Sequence, residues 1–79
     1  MPQAAYQPGT VWDVSATGIS LFLDQALEPG ELLDVTFRHL GIRDRTAAVI
    51  HVTAQGQGWR VGCKLNEPLS PREIHALGG

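Results

Sequence analysis

Apolar and polar residues alternate along most of the chain with a period of two, the period of a strand half-buried against a core. Turn signals interrupt the alternation, among them the pair Pro29-Gly30 and the glycine-rich stretch 54–58. The predicted strands cover residues 10–14, 19–23, 33–38, about 45–53 and 59–65. Four to five short strands with one polar face indicate an antiparallel barrel or sandwich.

The C-terminal stretch changes character and predicts a short helix. Ser70 is a good N-cap, Pro71 takes the first helical position, and Glu73 completes a capping box. Leu69 precedes the cap and is placed to pack on Ile74. A helix this short does not persist alone in water, so we expect it to dock on the barrel or on a partner.

With 79 residues the chain has room for one small domain, whose core is marginal in size. We expect residues 1–9, with two prolines and two glutamines, to form a flexible arm and residues 10–79 to form the domain. Cys63 is the single cysteine, which favours a reducing compartment. No apolar stretch is long enough to enter a membrane and no signal peptide is recognisable, so we expect a cytoplasmic protein.

Charge and residue spacing exclude several classes of function. Six basic residues stand against eight acidic ones, and they are scattered, which argues against DNA or RNA binding. The histidines and Cys63 match no metal-ligand spacing, so no metal site is expected. Neither Cys63 nor Ser15 lies in a nucleophile motif, so the chain is not predicted to be an enzyme and no cofactor is expected.

The stretch DVSATG at residues 13–18 has two interpretations. Asp13 and Ser15 can bond to neighbouring backbone while Gly18 supplies a reversal, which makes a tight turn between strands. Alternatively, the carboxylate accepts two hydrogen bonds from a base edge, and the hydroxyl offers a donor and an acceptor. Trp12, directly before the motif, either packs on the sheet or stacks on such a base.

DVSATG matches the Asp/Asn-x-Ser-x-x-Gly motif of the PilZ domain family, and the layout that follows it is also similar. Residues of about 10–77 resemble that family in the segments PGELLDVTF and GWRVGCKL and in the Leu-Ser-Pro start of the helix. The resemblance implies a six-stranded barrel with a C-terminal helix and the bacterial second messenger cyclic di-GMP as ligand. It also implies that Asp13 and Ser15 contact a guanine and its neighbouring backbone, with Gly18 allowing the close turn.

The chain departs from the family in one respect. The family carries an Arg-x-x-x-Arg segment upstream of the motif, whereas residues 1–12 contain no arginine or lysine. Charge-assisted hydrogen bonds contribute about 1.5–3 kcal/mol each, so two missing arginines correspond to about 3–6 kcal/mol of binding free energy. That is about two to four orders of magnitude in affinity for a dianion.

Two functional hypotheses follow. The first is a degenerate regulatory module of cyclic di-GMP signalling that acts through protein contacts and binds the nucleotide weakly or not at all. The second is a genuine receptor that uses Asp13, Ser15, Gly18 and Trp12. It would take arginines from a partner chain, from a further upstream segment, or from three candidates within the chain, which are Arg43, Arg45 and Arg60.

The missing upstream segment also affects the expected fold. Only the residues around PQAAYQ remain for a first strand, and their composition is poor for one. We therefore expect an all-β, small antiparallel PilZ-like barrel that is shortened or open at one edge and carries a short C-terminal helix. An open edge exposes unpaired backbone groups, so we expect a protein partner or self-association there.

Overall fold

A computed structural model describes residues 8–37 and 40–78, and within them it contains one antiparallel sheet and one helix. The elements are β1 Thr10–Val14, β2 Gly18–Leu23, β3 Leu32–Val35, β4 Arg45–Gln55, β5 Gly58–Leu65 and α1 Pro71–Ala76. The strand order is β1-β2-β5-β4-β3, and the sheet curls into a half-barrel. The predicted all-β fold with a C-terminal helix is confirmed. The predicted flexible arm falls mostly on residues 1–7, which lie outside the described residues.

The core lies on the concave face of the sheet because alternate side chains of three adjacent strands point there. In β2 the inward residues are Ile19, Leu21 and Leu23, as the alternation predicts. Val49 of β4 and Val61 of β5 are fully buried at the centre. The convex face therefore carries the intervening polar and aromatic side chains.

Two irregularities in the ladders escaped the sequence patterns. The β1–β2 register shifts at Trp12 and the β4–β5 register shifts at Ile50. An extra residue of this kind reverses the side-chain alternation beyond it. Ile50, which is 56% exposed, and His51 therefore both lie outside the core, and Val52 is the next residue of β4 that packs against it.

Within residues 8–37 and 40–78 the half-barrel is open between its two outermost strands, β1 and β3, and each of them pairs with one neighbour. An apolar groove of about 1010 Å³ occupies the opening. Its lining includes Val11 of β1, Leu21 and Leu23 of β2, and Leu33 and Val35 of β3. The predicted open edge is therefore confirmed.

The helix begins as its sequence predicts. The Glu73 backbone N–H donates to the Ser70 hydroxyl at 3.1 Å, and the Ser70 N–H donates to the Glu73 carboxylate at 2.8 Å. Ile74 and Leu77 pack against the core, so the helix docks on the half-barrel itself. Leu69, just before the cap, is buried.

Candidate functional site: the Ser15–Gly18 turn on the outer face

The motif DVSATG forms the end of β1, a tight turn and the start of β2. The Ser15 N–H donates to the Gly18 carbonyl at 2.9 Å, and the Gly18 N–H donates to the Ser15 hydroxyl at 3.2 Å. The polar groups of Ser15 thus close the turn in the absence of a ligand. A Cβ on Gly18 would lie 3.2 Å from the Cys63 carbonyl, so the glycine allows β2 to approach β5 closely.

The turn is also bonded to the far end of the chain. The Leu65 N–H at the end of β5 donates to the Thr17 carbonyl at 2.9 Å. The Leu69 N–H, one residue before the helix cap, donates to the Ala16 carbonyl at 2.7 Å. These two bonds fix the turn relative to β5 and to the start of α1.

Asp13 lies on the outer face in β1, opposite Ser20 of β2, and its side chain is exposed. Together with Ser15, Gly18 and His51 it borders a shallow depression of about 210 Å³. The sheet therefore brings together the three motif residues that the sequence singled out. Their carboxylate, hydroxyl and glycine backbone are all accessible from this depression.

Trp12, Phe22 and Arg60 form a second feature of the outer face, which we call the Trp12 stack. The indole of Trp12 lies on the Phe22 ring with centroids 6.1 Å apart, and the Arg60 guanidinium lies 5.5 Å from the indole centroid. Phe22 and Arg60 are direct partners in the β2–β5 ladder. Trp12 remains 49% exposed, so part of its ring is available to a ligand.

The other two candidate arginines belong to a different part of the molecule. Arg43 pairs with Glu67 at 3.0 Å. Arg45 pairs with Glu73 at 2.9 Å and lines the groove rather than the depression beside Asp13. Arg60 is thus the candidate arginine that the fold brings onto the face of Trp12.

Sequence analysis missed two residues near the turn. Lys64 of β5 is exposed and stands opposite Gly18 in the ladder, so it adds a cation beside the motif. His51 of β4 extends its imidazole over Gly62, where a Cβ would lie 2.4 Å from the ring. Alternation predicted that Lys64 faces outward, but it did not reveal that β5 is the neighbour of β2.

Three further properties bear on the kind of site. Within residues 8–37 and 40–78, no three His, Cys, Asp or Glu side chains group as metal ligands would. In the same part of the chain, no helix has the length and hydrophobicity to span a membrane. Burial raises the pKa of the Cys63 thiol, which favours its protonated form.

Residues 8–37 and 40–78 thus form a curled antiparallel half-barrel with an exposed polar turn and a docked C-terminal helix. The family model described as the PilZ domain matches residues 2–79, and the chain belongs to that family. PilZ domains are modules of cyclic di-GMP signalling that bind or regulate and are not enzymes. Searches of curated proteins and of solved structures gave no match.

Proposed function

We propose that this chain is a degenerate PilZ module of bacterial cyclic di-GMP signalling, located in the cytoplasm and acting through protein contacts. In this proposal it binds the nucleotide weakly or not at all. The proposal rests on where the positively charged side chains lie and on what they pair with. Residues 1–12 contain none, and two of the three candidate arginines are held in ion pairs away from the Asp13 turn.

Arg45 is the least available of these arginines. Its guanidinium donates to the carbonyls of Arg43 at 2.7 Å and Pro68 at 3.2 Å and to the Glu73 carboxylate at 2.9 Å. Moving it to a phosphate would leave these acceptors without their donor and would expose the core beneath. Arg45 therefore supports the fold rather than a ligand.

The Ser15–Gly18 turn supports the same conclusion. The Ser15 hydroxyl already accepts from the Gly18 N–H, and the Ala16 and Thr17 carbonyls already accept from Leu69 and Leu65. These groups of the turn already have a structural role, whereas the Asp13 carboxylate is exposed.

A second candidate function is the genuine receptor, and the Trp12 stack is the observation that favours it. The half-exposed indole of Trp12, next in sequence to the exposed carboxylate of Asp13, offers a surface for a purine. Stacking of a base on an aromatic ring contributes about 1–3 kcal/mol. Arg60 and Lys64 would supply two positive charges on that face. Both cations come from β5 and none from the family's upstream position.

Calorimetric titration with cyclic di-GMP at low and moderate salt separates the two functions. We expect no saturation at high micromolar nucleotide. Saturable micromolar binding that Asp13→Ala abolishes would overturn the proposal in favour of the receptor. Asp24→Ala is the matched control, because it removes an exposed carboxylate at the other end of β2.

If binding is observed, substitution of the cations tests where the positive charge comes from. Arg60→Gln would weaken binding and reduce its salt dependence if Arg60 serves the nucleotide. Arg43→Gln removes an exposed arginine that pairs with Glu67, and it would leave binding unchanged.

A further inference from the structure

The two free edges of the half-barrel differ in how well they are protected from further strand pairing. β1 is interrupted by the bulge at Trp12, a device that discourages edge-to-edge pairing. β3 pairs with β4 in unbroken register from Leu32–Ala48 to Val35–Arg45. Just before it, Gly30 and Glu31 both bond to Val49, so two residues stand opposite one and form a bulge with Gly30 at positive φ. The free edge of β3 is regular from Leu32 to Val35.

The backbone groups on that edge point outward. The Val49 N–H donates to the Glu31 carbonyl of the β3 side, whereas the Thr46 N–H donates to the Asn66 side chain on the opposite side. Because donors alternate along an antiparallel strand, Leu32 and Asp34 direct their N–H groups away from β4. Among residues 8–37 and 40–78 these amides have no hydrogen-bond partner, which leaves them able to pair with an additional strand.

The side chains along β3 suit an apolar partner. Leu32 is 72% exposed, although it belongs to a regular strand. Leu33 and Val35 are half-buried and line the groove, where they continue the apolar surface of Leu23 and Phe37. A strand added to β3 would bury alternate side chains in this groove.

Among the described residues, the charge around the edge is negative. Glu31, Asp34 and Asp44 are exposed next to β3 or at the groove. Arg45 is the basic residue in the groove lining, and its charge is matched by Glu73. A strand added here would contact the apolar lining of the groove on one face and the exposed acidic residues beside it.

We propose that the free edge of β3 accepts one extended strand from a partner protein, in which apolar residues alternate with lysine or arginine. Main-chain hydrogen bonds to Leu32 and Asp34 would hold the strand, and the groove would select its apolar side chains. This inference rests on the proposed function, because it names the chemistry of the partner. A second copy of the chain is a poorer occupant, since pairing β3 with itself would bring together the acidic residues of both copies.

The test uses the whole chain, labelled with ¹⁵N, and an octapeptide of alternating valine and lysine. We expect the peptide to shift the amide signals of Leu32 to Val35 with a dissociation constant of about 1 mM or tighter. A peptide of alternating valine and glutamate should cause no shift. A lysine peptide with the same composition in scrambled order should also fail, because its apolar residues cannot all face the groove.

Substitutions in β3 test whether the peptide binds at its free edge. Leu32→Lys should weaken binding about tenfold or more, because it replaces an exposed leucine that the added strand would cover and because the new lysine repels the peptide. Asp34→Pro removes the outward N–H and should abolish binding, whereas Asp34→Asn keeps that N–H and should weaken binding only modestly. Absence of peptide shifts in the native chain, or binding that survives both Leu32→Lys and Asp34→Pro, would overturn the inference.

Two measurements on the same sample separate this inference from the proposed function. Cyclic di-GMP that shifts the amides of residues 13–18 at micromolar concentration overturns the proposed function, whatever the peptide does. A chain silent to both ligands keeps the proposed function and overturns the strand addition at β3. Sedimentation that shows dimers, lost in Leu32→Lys, would assign the edge to a second copy and would also overturn the inference.

Discussion

The Arg45 guanidinium and the Glu73 carboxylate form an ion pair at 2.9 Å that joins β4 to the first turn of α1. The arginine side chain is 2% exposed and the glutamate side chain is 21% exposed. The same carboxylate accepts from the Ser70 N–H, so one glutamate both caps the helix and neutralises a buried cation. The helix is attached to the sheet through this carboxylate as well as through Ile74 and Leu77.

Arg45→Met should lower the free energy of unfolding by about 3 kcal/mol, measured by urea denaturation. The substitution leaves the carbonyls of Arg43 and Pro68 and the Glu73 carboxylate without their donor, and each loss of a buried partner is costly. Arg43→Met is the matched control. Its ion pair with Glu67 is exposed, so we expect a change of about 0.5 kcal/mol or less. Equal effects of the two substitutions would contradict this interpretation.

Stability should fall in acid because of Glu73. The hydrogen bond from the Ser70 backbone N–H is the main cause that lowers the pKa of this carboxyl below its ordinary value of 4.5, and Arg45 adds to it. A folded-state pKa below the unfolded value gives stability that is fully present above the unfolded pKa. That stability is lost as the pH falls through the folded-state pKa.

The measurement for Glu73 is the free energy of unfolding at a series of pH values below about 5. Glu73→Gln should be less stable than the native chain at neutral pH and should lose less stability on acidification. Arg72→Gln changes an exposed residue of the same helix that carries no carboxylate, so its acid dependence should match that of the native chain. If the free energy of unfolding of Glu73→Gln falls with pH as steeply as that of the native chain, Glu73 is not a source of the acid dependence.

Two glycines of β5 should respond differently to substitution by alanine. A Cβ on Gly58 would lie 2.7 Å from the Leu23 carbonyl and 2.6 Å from the Phe22 ring, so β2 itself would have to shift. A Cβ on Gly62 meets the exposed imidazole of His51, which can rotate away. Gly58→Ala should cost about 2 kcal/mol and Gly62→Ala less than about 1 kcal/mol, as measured by thermal unfolding. The reverse order would show that the close approach of Gly58 to β2 is not rigid.

Cys63 should react slowly with a thiol reagent such as dithiobis(nitrobenzoate). Its side chain is buried in the core, and burial raises its pKa, so little thiolate is present at pH 8. We expect reaction at the rate of a free thiol only after denaturant is added. Rapid reaction of the folded chain would mean that β5 opens readily.

The sequence patterns predicted the elements of this fold better than their arrangement. Alternation identified the strands because each buries one face, and the residues Ser70, Pro71 and Glu73 identified the helix because they bond locally. The bulge at Ile50 was not predictable, since an extra residue in a ladder depends on the partner strand. The burial of Arg45 was not predictable either, because its acceptors on Glu67, Pro68 and Glu73 lie more than twenty residues away in the chain.

The residues of the candidate site were also only partly predictable from the sequence. Asp13, Ser15 and Gly18 are close in sequence, so their grouping followed from the motif. Lys64 and Arg60 join them through the pairing of β5 with β2, which alternation does not encode. Their proximity to the turn required the fold.

The hydrogen bond from the Leu69 N–H to the Ala16 carbonyl gives the DVSATG motif a structural role that is independent of ligand binding. The turn acts as an anchor point for the residue that leads into the helix. A substitution that unravels the turn would therefore release the helix as well, and the two would be lost together. The motif therefore has a mechanical role in this fold in addition to any role in ligand binding. The amide of Leu69, followed by hydrogen exchange, would report the opening of that anchor directly.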